Sequence, residues 1–234
     1  MNKLVYRYII RHYQYVSFDV FDTLIERDVN RPSDIFVLVG KCILGKENAE
    51  KFRILRKKAE FEAREENNHK EITLDQIYEK LRGLYEEDVI EQLRKEEIQQ
   101  EIKHCHRKEN IAPLYQACVK KKKHILIISD MYLPSEVIQK MLKACNILDY
   151  EKIYVSNEYG VNKISGILFK KVIQDKKINA YEISSTCGSA DIEAQAYCKS
   201  VDNSAKYAYK QDIFCKNVWR KDINKHTGKY NYHD

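Results

Sequence analysis

Proline and glycine are scarce in this chain, three and seven residues in 234, which excludes long Pro- or Gly-rich linkers and a disordered chain. Cysteine offers no frame either. The seven thiols, at 42, 105, 118, 145, 187, 198 and 215, are odd in number, include no C-x-x-C and lie mostly in apolar stretches. They read as reduced thiols and not as a disulfide scaffold. No apolar run approaches the length of a membrane span. Lys3 and Arg7 interrupt the opening ten residues, so these lack the apolar centre of a signal peptide. A cytoplasmic location is expected from these absences. Charge of one sign is not concentrated: 41 basic and 35 acidic residues leave +6, spread over 120–123, 170–171, 176–177 and the tail. Solvated helix ends account for most of that excess, and an anionic small-molecule substrate is the next reading. No nucleic-acid motif accompanies the charge, and no nucleic-acid partner is expected.

What is present is a core. Apolar residues make up 44% of the chain, enough for one domain with an insertion, or for a core with a small second lobe. The stretch Tyr15-Val16-Ser17-Phe18-Asp19-Val20-Phe21-Asp22-Thr23-Leu24 organises it. An apolar, β-branched and aromatic run ends abruptly in a carboxylate, a second carboxylate and a hydroxyl. A buried parallel strand opening into a site has this pattern, and so does a strand followed by an Asp-Thr turn.

Further along, Arg31-Pro32-Ser33-Asp34 predicts a turn with Ser33 as N-cap of a helix reaching Ile43. From about Glu47 to Arg107 the pattern is helical throughout, with alternating charge over 53–64, a helix from Thr73 and another from Val89 to His104. This stretch reads as an all-helical insertion. His104-Cys105-His106 has no second ligand pair at zinc spacing and reads as a polar helix end. A helix with Leu114, Ala117 and Val119 leads to a buried strand, His124 to Ser129, followed by Asp130. Then come a helix from Pro134, a strand Ile153 to Ser156, a helix Ile167 to Gln174, a strand Tyr181 to Ser185, a helix from Asp191 to Cys198 and a strand near 205–209. Repeated strand–helix units predict an α/β fold with a Rossmann-like, doubly wound parallel sheet. Its ligands are then expected at the carboxyl ends of the strands.

That rim gathers Asp19, Asp22, Thr23, Ser129, Asp130, Lys163, Ser185, Thr186 and Asp191. Here the chain resembles the haloacid dehalogenase (HAD) superfamily over almost its whole length. Phe18-Asp19-Val20-Phe21-Asp22-Thr23-Leu24 is similar to the first motif, whose leading Asp is the nucleophile. Ser129 falls at the phosphate-binding hydroxyl of the second. Gly160-Val161-Asn162-Lys163 is similar to the third, which supplies a lysine, and Lys170 or Lys171 serve if that loop is read differently. Asp191 matches the last acid of the fourth. The helical block sits where these proteins carry a cap, which implies a core of residues 1–30 and 111–234 and a cap of 31–110. Within the superfamily, Ser17 to Leu24, Arg27 and Ser129-Asp130-Met131-Tyr132-Leu133 resemble predicted hydrolases found with bacterial surface-polysaccharide glycosyltransferases.

The resemblance implies a phosphatase acting on a small phosphorylated metabolite, such as a sugar or polyol phosphate. Asp19 attacks phosphorus, Asp22 and Lys163 assist, and Thr23, Ser129, Asp130 and Lys163 bind the phosphoryl group. Mg²⁺ is held by Asp19, the Phe21 carbonyl and Asp191. Two departures qualify this. The leaving-group acid two residues after the nucleophile is replaced by Phe21, and Ser185-Thr186 stand where phosphatases have Gly-Asp. A metal-independent, dehalogenase-like hydrolase and a catalytically degenerate domain that binds a glycosyltransferase are the alternatives.

Overall fold

The computed structural model describes residues 3–68 and 70–186. The expected helix at Asp191 to Cys198, the last strand near 205–209 and Asp191 itself lie outside the described residues.

Helix α1 (Lys3–His12) leads into strand β1 (Tyr15–Phe18), and a tight loop leads to β2 (Ile25–Arg27). Four helices follow: α2 (Asp34–Ile43), α3 (Ala49–Glu66), α4 (Leu74–Glu79) and α5 (Glu87–Lys103). Strand β3 (Cys105–Arg107) then precedes α6 (Ala112–Lys120), β4 (His124–Ser129), α7 (Ser135–Ala144) and β5 (Lys152–Val155). The short α8 (Ser156–Tyr159), α9 (Ile167–Lys176) and β6 (Ile183–Thr186) end the described chain.

Strands β5, β4, β1 and β6 form one sheet in that order, all parallel. Ile125 to Ile128 are buried on both faces of it, which is why that strand is a continuous apolar run and not an alternating one. One face, with Val16, Phe18, Ile125 and Ile127, packs on α1, α6 and α7. The other, with Leu126, Ile128 and Tyr154, packs on Leu168, Phe169 and Val172 of α9. The sheet is therefore doubly wound. The chain runs from β1 to β4 to β5 and returns to the far side of β1 as β6, so strand order reverses between β1 and β6. At such a reversal the two connections diverge and leave a crevice beyond the strand ends.

The helices α2 to α5 lie between β2 and β3, which pair antiparallel with Arg27 opposite Cys105. Gly40 lets α2 approach α3: a Cβ there would meet Ala49 Cα at 2.9 Å and Phe52 Cβ at 3.0 Å. Helix α4 opens on a reciprocal cap, Thr73 Oγ1 accepting from Gln76 N and Gln76 Oε1 from Thr73 N. Inside the block, fully buried Arg56 donates twice to Glu97, at 2.8 and 2.7 Å, and Tyr78 OH donates to the same carboxylate at 2.8 Å. The Phe36 and Tyr132 rings lie 4.5 and 4.9 Å from the guanidinium carbon. Burial alone would lower the Arg56 pKa, but Glu97 more than offsets it and holds it well above the ordinary value.

Several local expectations are corrected. Ser33 precedes α2 but makes no side-chain cap; the carboxylate of Asp34 accepts from Arg31 N instead, at 3.0 Å. Helix α5 ends at Lys103, so Cys105 and His106 belong to strand β3, because the chain must return beside β2. His104 lies 2.7 Å from Asp28 and His106 3.3 Å from Glu26. Ser156 opens α8 instead of ending a strand, and a 3₁₀ turn over Ala180–Glu182 takes Tyr181 out of β6.

Because a buried charge without its partner is strongly unfavourable, Arg56→Met should lower unfolding stability by about 3–5 kcal/mol. Arg56→Met with Glu97→Leu should recover much of that. Chemical denaturation of both variants checks this; equal losses would show that packing, and not the stranded carboxylate, carries the effect.

Candidate active site

Asp19 is the first residue beyond β1, with its N–H donating to Thr186 O across 3.4 Å, so the strand reversal places it beside β6. The chain then turns tightly: Val20 O accepts from Leu24 N at 2.9 Å and from Ile25 N at 3.0 Å. Asp22 takes the left-handed φ of 56° that this turn requires, a conformation Asp tolerates better than most residues. Its carbonyl accepts from Lys108 Nζ at 2.9 Å, and its side chain is exposed. Thr23 and Phe21 are half-buried.

Lys163 comes from the loop between α8 and α9. Gly160, at φ 64°, stops α8 with a left-handed residue. Lys163 N donates to both oxygens of Asp130, at 2.9 and 3.1 Å, and Gly166 N closes the turn on Lys163 O at 2.9 Å. Anchored in this way, Lys163 extends its ammonium to Asp19 Oδ1 at 2.9 Å, with side-chain exposures of only 6% and 17%. Asp130 thus holds the loop that delivers the lysine.

Ser129, the last residue of β4, is buried, and among the described residues its Oγ has no hydrogen-bond partner. A buried hydroxyl left unpaired costs free energy, and a ligand oxygen would satisfy it. Thr186 spends its hydroxyl on Ser17 O at 3.0 Å, and Ser185 is half-buried. The structure therefore brings Asp19, Ser129, Asp130, Lys163 and Thr186 to the carboxyl ends of the sheet. Asp22 lies at the outer turn.

For a divalent cation, the Asp19 carboxylate and Phe21 carbonyl are hard oxygen donors of the kind Mg²⁺ takes, alongside water. Asp191, the third donor expected from the sequence, is outside the described residues. Among the described residues no three His, Cys, Asp or Glu side chains converge as a metal site.

A cleft of about 510 Å³ opens beside these groups, with Phe21, Asp130, Met131 and Tyr132 on one side and Lys57, Phe61 and Arg64 of α3 on the other. Arg27 closes one end. It donates to Glu101 at 2.7 and 3.0 Å and lies 4.3 Å from the centre of the Phe21 ring. Burial pulls its pKa down, but Glu101 more than compensates and raises it. Ser156 Oγ donates to Glu71 at 2.6 Å and accepts from Met131 N at 3.0 Å, which ties the loop before α4 to the strand ends. The pairing of Arg27 with Glu101, the latch at Glu71 and the α3 side of the cleft were not visible in the sequence. Arg27 carried a signal in its closeness to Asp19; the others join residues far apart in the chain.

No protein-family model matches the chain, and no curated protein matches it. Solved structures do. An L-2-haloacid dehalogenase from Xanthobacter autotrophicus is 13% identical, with a TM-score of 0.54 over 80% of this chain and 74% of its own. A 2-haloacid dehalogenase from Pseudomonas syringae pv. Tomato is 15% identical, with 0.53 over 80% and 83%. A predicted phosphoglycolate phosphatase from Haemophilus somnus is 11% identical, with 0.52 over 80% and 82%. The chain shares the α/β fold of haloacid dehalogenase-like proteins.

The unpaired Ser129 hydroxyl generates a test. Ser129→Ala removes an unsatisfied buried group, so its stability should hold or rise by up to about 1 kcal/mol. A fall of several degrees in the melting temperature would mean that the hydroxyl has a structural partner.

Proposed function

We propose that this protein is a hydrolase working through a covalent ester on Asp19, and that it is a phosphatase of a small phosphorylated metabolite. The observation that carries the reading is the Lys163 ammonium 2.9 Å from Asp19 at the reversal of strand order. Two nearly buried charges cost desolvation, and an apolar pair would serve the fold as well. A charged pair retained here suits a nucleophile whose developing negative charge needs a fixed counter-charge, and that argues against a purely binding domain.

In this reading, residues 1–30 and 111–234 form the core and 31–110 the cap. One Asp19 oxygen forms a bond to phosphorus while the bond to the leaving oxygen breaks. Lys163 and the Ser129 hydroxyl neutralise and hold the equatorial oxygens, with Thr23 adding a donor from the turn. Asp130 keeps Lys163 in position. Asp22 gives the leaving oxygen its proton, taking over from the acid that Phe21 displaces. Water then attacks the aspartyl-phosphate and releases phosphate and free Asp19. When bound, Mg²⁺ would be held by Asp19, the Phe21 carbonyl and Asp191, and would add charge neutralisation.

One observation favours a second, metal-independent reading. Phe21 is packed under Arg27, so its position supplies no acid. A halide departs unprotonated and needs none. Asp19 would then displace halide from carbon, and water would cleave the resulting ester.

Hydrolysis of p-nitrophenyl phosphate with Mg²⁺ or EDTA, beside chloride release from 2-chloropropionate, separates the two. The expected outcome is Mg²⁺-stimulated phosphate release, reduced about 10³-fold or more in Asp19→Asn. Turnover that survives Asp19→Asn would sink both readings. Asp22→Asn should slow an alkyl phosphate by roughly 10²-fold while sparing the nitrophenyl ester, whose leaving group departs as a stable anion. Equal effects on the two esters would remove Asp22 as the acid.

A further inference from the structure

The cleft has a chemistry that the scissile group does not explain. On α3, Lys57, Phe61 and Arg64 recur at intervals of four and three residues, so they form one stripe of the helix, and all three line the cleft. Phe61 is 64% exposed and lines the cleft. Opposite it stand Phe21 and Met131 from the loops that carry Asp19 and Ser129. Phe21, Phe36, Phe61, Met131 and Tyr132 thus give the cleft apolar surface between its charged side chains.

The α3 edge is cationic. Glu60 is shared between Arg64, at 2.9 Å, and Arg56, at 3.2 Å, and Arg56 already has Glu97. Lys57 makes no hydrogen bond or ion pair among the described residues. Of the cations that line the cleft, Arg27 is held by Glu101 and Arg64 by Glu60, which leaves Lys57 as the cationic side chain there without a carboxylate partner among the described residues. A ligand that filled this space with a neutral polar tail would leave Lys57 to water alone.

We infer that the cleft binds the leaving-group half of the substrate, and that this half is a flat apolar body carrying a second anionic group. The body lies between Phe61 and the Phe21–Met131 wall, and the distal anion meets Lys57. The inference rests on the hydrolase reading for the word substrate, but the cleft's preference is a binding property and is tested as one.

The probes are 4-carboxyphenyl phosphate and its neutral isostere, 4-carbamoylphenyl phosphate, which differ only in the distal charge. The wild-type protein should show a KM roughly threefold to fivefold lower for the carboxylate, the scale of one exposed charge pair. Lys57→Ala should abolish the difference, and Lys57→Arg should restore it. Phe61→Ala should raise KM for both probes by about threefold to tenfold, without changing their ratio. These side chains are exposed on a helix surface, so the variants should fold normally, which their melting curves check. Calorimetric binding of both probes to Asp19→Asn repeats the comparison without turnover. A Lys57-dependent preference there supports the inference even if no hydrolysis is found, and only the hydrolase reading then falls. Equal affinity for the two probes, or none for either, overturns the inference, and does so while leaving the hydrolase reading intact if turnover is seen.

Discussion

The contact on which the site depends is the pair formed by Lys163 and Asp19. Both groups are largely withdrawn from water, and their opposite charges offset part of that desolvation. Their union requires three separate pieces of chain to arrive in register. Strand β1 must end at Phe18, β6 must lie beside it so that Thr186 receives the Asp19 amide, and Asp130 must catch the Lys163 amide. The reversal of strand order does the rest, since it leaves a gap where two connections part and a substrate can reach the pair.

The helical block answers to the same constraint at longer range. Arg27 leaves the site on β2 and is held by Glu101 of α5, so the helix that returns the chain to the core also fixes the residue against Phe21. Glu71 and Ser156 add a second tie, at the amide following Asp130. The buried Arg56–Glu97–Tyr78 cluster keeps α3, α4 and α5 moving as one piece, because separating any of them exposes an unpaired charge. The stripe on α3 is therefore presented to the cleft by a unit with its own internal lock.

The sequence made β1 and β4 legible because each is a short, largely apolar run closed or followed by a polar residue, Asp19 after β1 and Ser129 in β4, and the apolar run follows from burial on two faces. The strand order placed Lys163 on the same rim as Asp19, but 144 residues separate them and no local periodicity encodes their direct contact. Strand β3 was invisible for the opposite reason. Cys105 to Arg107 follow a long charged helix directly, and three residues are too few to show a period of two; only pairing with Ile25 to Arg27 makes them a strand. Ser33 misled because a serine before a helix usually caps it, while here the Asp34 side chain had already turned the chain.

Phe21 is where the competing chemistries meet. An acid at that position would compete with Glu101 for the Arg27 guanidinium. An aromatic ring avoids that competition and offers the guanidinium a face 4.3 Å away. The cost is a proton donor. In the proposed hydrolase, chemistry at Asp19 would then recruit its proton from the Asp22 turn or release a group that needs none, and both alternatives leave the Lys163–Asp19 pair with the same task. What distinguishes them is the leaving group, and the leaving group is what the Phe61 side of the cleft would hold. In the proposed hydrolase, the choice of reaction and the choice of substrate would therefore both turn on Phe21 and the wall it faces.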